Sequence, residues 1–221
     1  MTLDVTVVNV ALPEIQSDLD ASLDSLQWTV NAYVLAFAAL LLTVGSLSDR
    51  YSRRTLFLAG LTVFTVASAL CITARSETTL IASRAIQGVG GALVFGTCLA
   101  LVADAHTGVA EEIRRKAVGT AMAAGAAAAA LGPLIGGGLV QIGAWQWIFA
   151  VNVPIGIALI VATLLRVPTV DRTGEVRGAV DRMGAALVVV PLFTANYGLL
   201  TGADSGWAQP KVVAALTIAA I

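Results

Sequence analysis

The chain has 221 residues, 57% of them hydrophobic and only 12% charged, and its mean hydropathy is +0.86. A soluble domain carries about 25% charged residues, so the composition excludes one and points to an all-α integral membrane protein. The net charge of −1 carries no sign of a nucleic-acid partner, and none is expected.

Met1 to Pro13 is an apolar run of about 13 residues, short of the roughly 20 that cross about 30 Å of hydrocarbon. It lacks the basic start and small-residue cleavage site of a signal peptide. It therefore reads as a first span whose beginning lies upstream. Asp4 sits inside it. Glu14 to Gln27 holds Glu14, Asp18, Asp20 and Asp24 with no Lys or Arg, which suits an external loop. Trp28 and Tyr33 open a second span, Trp28 to Leu47, where amphipathic rings settle at an outer interface.

Gly45 to Arg54 is a tight turn with Asp49 and three arginines, Arg50, Arg53 and Arg54. Arginine-rich short loops stay in the cytoplasm. A third span, Thr55 to Ala74, follows, then a short external turn, Arg75 to Thr79. The fourth span, Leu80 to Ala103, contains Arg84. The loop Asp104 to Lys116 carries Arg114, Arg115 and Lys116. The fifth span, Ala117 to Ile142, is rich in Ala and Gly. Trp145 and Trp147 begin a sixth that ends near Leu165.

Arg166 to Arg182 is a polar cytoplasmic linker with four arginines. Met183 to Leu200 is a seventh span, Gly202 to Pro210 an external turn, and Val212 to Ile221 the start of an eighth. The expected organisation is a bundle over 1–166, a linker over 167–182 and an incomplete hairpin over 183–221. Of 13 Lys and Arg, ten fall on the expected inner side, two (Arg75 and Lys211) outside, and Arg84 within the membrane. That bias places the N-terminus in the cytoplasm and the chain as a multi-pass protein of the plasma (inner) membrane.

Cys71 and Cys98 both lie in apolar runs and read as small buried hydrophobes. His106 stands alone in a polar loop and makes no metal site. No cofactor is expected, and no nucleophile–base pair or nucleotide loop suggests an enzyme.

Several motifs carry a resemblance. Gly45-Ser46-Leu47-Ser48-Asp49-Arg50-Tyr51-Ser52-Arg53-Arg54 resembles the loop signature of the major facilitator superfamily, with Ser52 where the family usually has glycine. Leu3 to Pro13 and Gln27-Trp28 followed by Tyr33 are similar to its fourteen-span drug:proton antiporter branch. So is Trp145 to Gly156, with Gln146 where arginine is usual, and so is the extra hairpin after span six. Arg84-Ala85-Ile86-Gln87-Gly88-Val89-Gly90 resembles the fourth-span motif linked to proton transfer. Gly132-Pro133-Leu134-Ile135-Gly136-Gly137 resembles the antiporter motif of the exporting branches, with Ala128 at the family's preceding glycine.

The resemblance implies a six-helix bundle of the major-facilitator type plus the start of the inter-bundle hairpin. It implies proton-coupled export of drugs or other amphipathic small molecules by alternating access. Asp49 and Arg50, with Gly45, Arg53 and Arg54, would form a cytoplasmic gate. Arg53 and Arg54 would chiefly hold orientation, with anionic lipid in reach. The expected partners are a small-molecule substrate, protons, the lipid bilayer and a missing C-terminal transmembrane half. Without that half, no transport is expected from the chain alone. An importer of the same fold, or a truncated non-transporting membrane protein, are the alternatives.

The spans also set depths. Asp4 lies about 15 Å from Glu14 at 1.5 Å per residue, and Arg84 about 10 Å below the same surface. Burial favours the neutral form of an acid and a nearby arginine its ionised form. A conformational change that alters their separation would make Asp4 bind or release a proton, with a cationic or polar substrate competing for the acid. The resemblance adds Gln87, in the same fourth-span motif as Arg84, as a candidate.

Overall fold

The computed structural model describes residues 2–48, 51–105, 109–167 and 182–220. Among these residues every regular element is an α-helix: α1 Thr2–Leu19, α2 Leu23–Ser48, α3 Arg53–Ile72, α4 Glu77–Ala105, α5 Glu111–Ile142, α6 Trp147–Ala150, α7 Asn152–Arg166, α8 Arg182–Ser205 and α9 Pro210–Ala219. In hydrocarbon a helix is the way for one segment to satisfy its own backbone polar groups. Four stretches are long and apolar enough to cross a membrane: Arg53–Ile72, Glu77–Ala105, Glu111–Ile142 and Trp147–Arg166. The last joins α6 to α7 through Val151, whose backbone stays helical at φ −63° and ψ −28°.

The helix ends differ from the expected spans, and each difference has a local cause. α1 runs through Pro13 to Leu19. Val7, Val8, Ala11 and Ile15 recur at helical spacing and are all buried, so burial of Ile15 carries the helix past the proline. The Ser22 hydroxyl accepts the Ser25 N–H at 3.1 Å, capping α2 five residues before Trp28. The expected loop over 14–27 shrinks to Asp20, Ala21 and Ser22, with Asp20 at φ 49°. Ser76 caps α4 likewise through the Thr79 N–H, 3.3 Å. α5 starts at Glu111, and its two acids favour the positive end of the helix. Arg114, Arg115 and Lys116 therefore sit on helix rather than loop. Glu112 and Lys116 pair across one turn at 2.8 Å. α8 continues through Pro191 to Ser205, into the expected turn over 202–210.

Glycines let three helices meet at backbone distance. Gly88 and Gly90 are two residues apart on α4, or about 200° around it, so they face different neighbours. A Cβ on Gly88 would collide with the Tyr33 carbonyl of α2. A Cβ on Gly90 would lie 2.5 Å from the Phe64 nitrogen and 2.8 Å from the Gly60 carbonyl of α3. Close approach through small residues is how membrane helices gain packing energy. Gly90→Ala should cost about 1–3 kcal/mol, the usual range for overpacking, because the obstructing atoms are backbone. Gly119 faces open space, so Gly119→Ala should be neutral or stabilising, since alanine is the better helix former. Thermal unfolding in detergent measures both. A Gly90→Ala protein as stable as the parent would remove the packing argument.

One end of the bundle is closed by a core of Val7, Val8, Ala11 and Ile15 with Leu26, Cys71, Leu80, Trp145, Ile148 and Phe149. The Trp145 indole N–H donates to Asp18 at 2.8 Å, tying the end of α1 to the start of α6. Cys71 is buried in that core as expected, Cys98 is half-buried, and both are free thiols. His106, most of the 167–182 linker, Asp49 and Arg50 lie outside the described residues.

Candidate functional site

Asp4 and Arg84 come together as a buried ion pair. Asp4 is 2% exposed and Arg84 is 0% exposed. The Arg84 Nη1 donates to Asp4 Oδ2 at 2.6 Å. The other carboxylate oxygen, Oδ1, accepts from Gln87 Nε2 at 3.1 Å and from Asn152 Nδ2 at 2.9 Å. Three donors on two oxygens leave the carboxylate well satisfied in a place where an unpaired charge is costly.

Helix geometry explains the convergence. Arg84 and Gln87 are three residues apart and share one face of α4. Nη1 of Arg84 also donates to Gln87 Oε1. Gln87 Nε2 reaches Ser68 Oγ on α3 at 2.8 Å, and Ser68 donates on to the Phe64 carbonyl. Arg84 Nε donates to the Thr29 carbonyl of α2 at 3.2 Å. The guanidinium lies 4.3 Å from the centroid of the Tyr33 ring and 5.8 Å from that of Phe149. Cation–π attraction of this kind strengthens when desolvated. Five elements thus hold one charge pair: α1, α2, α3, α4 and the α6–α7 run.

Tyr33 corrects an expectation. It is not an interfacial anchor but 2% exposed, inside the bundle. Because α2 begins at Leu23, Tyr33 lies about 15 Å along the helix. Trp28 does remain near the end of α2, 6.1 Å from the Tyr197 ring of α8.

Asn152, Ser68, Thr29 and Tyr33 are site residues that sequence reasoning missed. Asn152 did carry a signal, a lone amide in the apolar stretch Trp147 to Leu159. Ser68 carried none, since Thr62 and Thr65 on the same helix merely bond back to their own preceding turn.

At the opposite end, Arg53 Nη1 pairs with Asp104 Oδ1 at 2.8 Å, joining the start of α3 to the end of α4. Each charge sits at the helix end its own dipole disfavours, and each is the other's compensation. Arg54 Nη2 donates to the Leu164 carbonyl in the last turn of α7, 3.0 Å. Both arginines therefore bind protein groups at this end of the bundle. Gly45 is exposed with open space beside it, and its carbonyl accepts the Ser48 hydroxyl at 2.7 Å.

The Gly-Pro motif packs on α1. Gly132 and Gly136 are buried. A Cβ on Gly136 would lie 3.1 Å from Val7 Cα, while one on Gly137 would lie 3.9 Å from Val10. Pro133 is inside α5 and exposed. The motif thus presses the α1 segment that bears Asp4. Among the described residues no three His, Cys, Asp or Glu side chains are grouped to hold a metal.

The chain is similar to characterised proteins. It is 41% identical over its whole length to a methylenomycin A resistance protein of Bacillus subtilis, of which it covers 46%. It is 35% identical, again over its whole length, to a tetracenomycin C resistance and export protein of Streptomyces glaucescens, of which it covers 40%. The chain thus spans about half the length of the curated relatives it matches. Its fold matches the crystal structure of a bacterial homologue of the human lysosomal transporter Spinster, inward-facing and unoccupied. That match has a TM-score of 0.56 and 18% identity, and covers 98% of this chain and 55% of the other. The family model of the Major Facilitator Superfamily matches residues 1–219. With helices able to cross a bilayer and a profile match over nearly its full length, the chain is a membrane protein that belongs to the Major Facilitator Superfamily.

Proposed function

We propose that the chain forms one wall of a plasma-membrane exporter of antibiotics and other amphipathic small molecules, driven by protons through alternating access. The observation that carries the proposal is the Asp4–Arg84 pair, fully buried and 2.6 Å apart among apolar helices. Ionisable groups at such depth are expensive and mark proton or substrate paths. An acid held by an arginine, a glutamine and an asparagine has a protonation state that depends on how those donors are placed. A rearrangement of the helices that moves any of them changes the proton affinity of the acid.

Relatives named for resistance and export support export as the direction. In this reading Gly132, Pro133, Gly136 and Gly137 let α5 slide against α1. Asp49 and Arg50, with the Arg53–Asp104 pair, close the cytoplasmic end, and the N-terminus faces the cytoplasm. Substrates would bind between this bundle and a second one.

The test is transport by the protein produced from the whole reading frame, reconstituted in proteoliposomes with two amphipathic dyes, one cationic and one uncharged. At least one dye should move against its own gradient when a pH gradient is imposed, and a protonophore should stop it. Movement only down the dye gradient, indifferent to pH, would make the protein a facilitator instead.

A further inference from the structure

A cavity of about 360 Å³ opens beside the ion pair, lined by Val5, Thr6, Tyr33, Phe37, Phe95 and Ala129 among others. Its volume falls at the low end of the range for small-molecule sites, about 300–1,000 Å³. That is room for two or three rings and far too little for a helix. Three of its walls are aromatic and in mutual contact. Tyr33 and Phe37 stack at 6.0 Å and 15°, and Phe95 meets Phe37 edge-on at 5.6 Å and 68°. Among the described residues no lining side chain is charged.

We infer that this cavity is a binding subsite for uncharged, planar aromatic molecules, with Tyr33 as the wall it shares with the Asp4–Arg84 pair. The inference rests on the export reading for its purpose and narrows the substrate class. It also replaces the expectation that a cationic substrate competes for Asp4 by contact. The Asp4 carboxylate is 2% exposed and already takes three donors, so it presents almost no surface to a ligand in the cavity.

A permanent cation would gain little here. Ring faces do attract cations, but one face of Tyr33 holds the Arg84 guanidinium and Phe37 stacks with Tyr33. A cation would leave water for a lining without a counter-charge. A neutral ring system loses no such hydration and gains edge-to-face contact with Phe95. The subsite reaches the ion pair by two routes. One is the Tyr33 ring itself. The other is the backbone of α1, where Val5 and Thr6 follow Asp4 directly.

The experiment is equilibrium binding to the full chain in lipid nanodiscs, with empty nanodiscs as baseline. The probes are 1-N-phenylnaphthylamine, which is uncharged, and ethidium, a permanent cation. The uncharged probe should bind above baseline and more tightly than ethidium. Phe37→Leu and Phe95→Leu keep apolar volume but remove the ring, and each should weaken the uncharged probe about two- to tenfold. Phe193→Leu on α8, a half-exposed ring outside the cavity, should leave binding as it was. Tyr33→Leu should weaken the uncharged probe to a similar degree as Phe37→Leu. Three results overturn the inference: no binding above baseline, ethidium as tight as the uncharged probe, or Phe37→Leu and Phe95→Leu indistinguishable from Phe193→Leu. No proton gradient is present in this assay. A failure of proton-driven export would therefore leave these outcomes standing, and their failure would leave the export reading to its own test.

Discussion

On the proposed export reading, Asp4→Asn in the protein from the whole reading frame should abolish pH-gradient-driven export while exchange of substrate at equal pH on both sides continues. The substitution keeps size and shape but removes the group that can take up a proton. It also changes the local pairing. Asp4 now accepts from Arg84, Gln87 and Asn152. An asparagine offers one acceptor oxygen where the carboxylate offers two, and its NH₂ must face at least one of those donors. One mismatched buried hydrogen bond costs about 1–3 kcal/mol, so some loss of stability accompanies the loss of coupling. The two effects separate by measurement. Unfolding reports the first, and the ratio of gradient-driven export to equal-pH exchange reports the second. Asp4→Glu restores an acid displaced by one methylene and should recover part of the driven rate. If Asp4→Asn exports at the parental rate under a pH gradient, the proton travels by another route.

The charge pair was legible because charges in apolar runs are rare and costly. Asp4 and Arg84 were identifiable as ionisable groups inside apolar runs from their flanking residues alone, and Gln87 came with the fourth-span motif that the chain resembles. The neutral members of the network were not legible. Serine, threonine and asparagine are cheap enough in helices to occur without a site, and only tertiary packing separates Ser68, which meets Gln87, from Thr62, which does not. The Arg53–Asp104 pair was hidden for a different reason. Its partners are 51 positions apart on different helices, and each alone reads as a solvated loop charge.

Helix ends were the weakest part of the reading. Acids at Glu14, Asp18, Asp20 and Asp24 suggested a loop, yet Ile15 is buried and Ser22 caps the next helix. That error displaced the start of α2 and turned Tyr33 from a wall of the site into an interfacial ring. The glycines fall into two groups. Backbone of α2 and α3 approaches Gly88 and Gly90. Gly136 does the same for α5 against α1, whereas Gly119 and Gly138 meet nothing within 4 Å. Composition alone gives no way to tell these two groups apart.

Arg84→Met should be the most destabilising single change at the site, at about 3–5 kcal/mol, the usual cost of removing one partner of a buried ion pair. Methionine nearly fills the volume, so the loss is electrostatic rather than a cavity. It leaves the Asp4 carboxyl in a dry interior with no counter-charge and only Gln87 and Asn152 as donors. It also strips Thr29, Gln87 and the Tyr33 ring of their contacts with the guanidinium. Arg84→Lys should fall between Met and the parent. An ammonium can reach Asp4 but cannot present separate, fixed N–H groups to Asp4, Gln87 and the Thr29 carbonyl together. The decisive comparison is the double variant. In Asp4→Asn/Arg84→Met no charge remains buried, and the asparagine oxygen can still accept from Gln87 or Asn152. The double variant should therefore be more stable than Arg84→Met alone, with the two changes failing to add by about 0.5–3 kcal/mol. Full replacement by apolar residues is not the equivalent experiment here, because the Asn152 amide would lose its acceptor and Gln87 would keep only Ser68 as one. Unfolding in mixed micelles gives all four corners of the cycle. If Arg84→Met costs the same with aspartate or asparagine at position 4, the two residues are neighbours without being an energetic pair, and the site loses its claim to hold a movable proton.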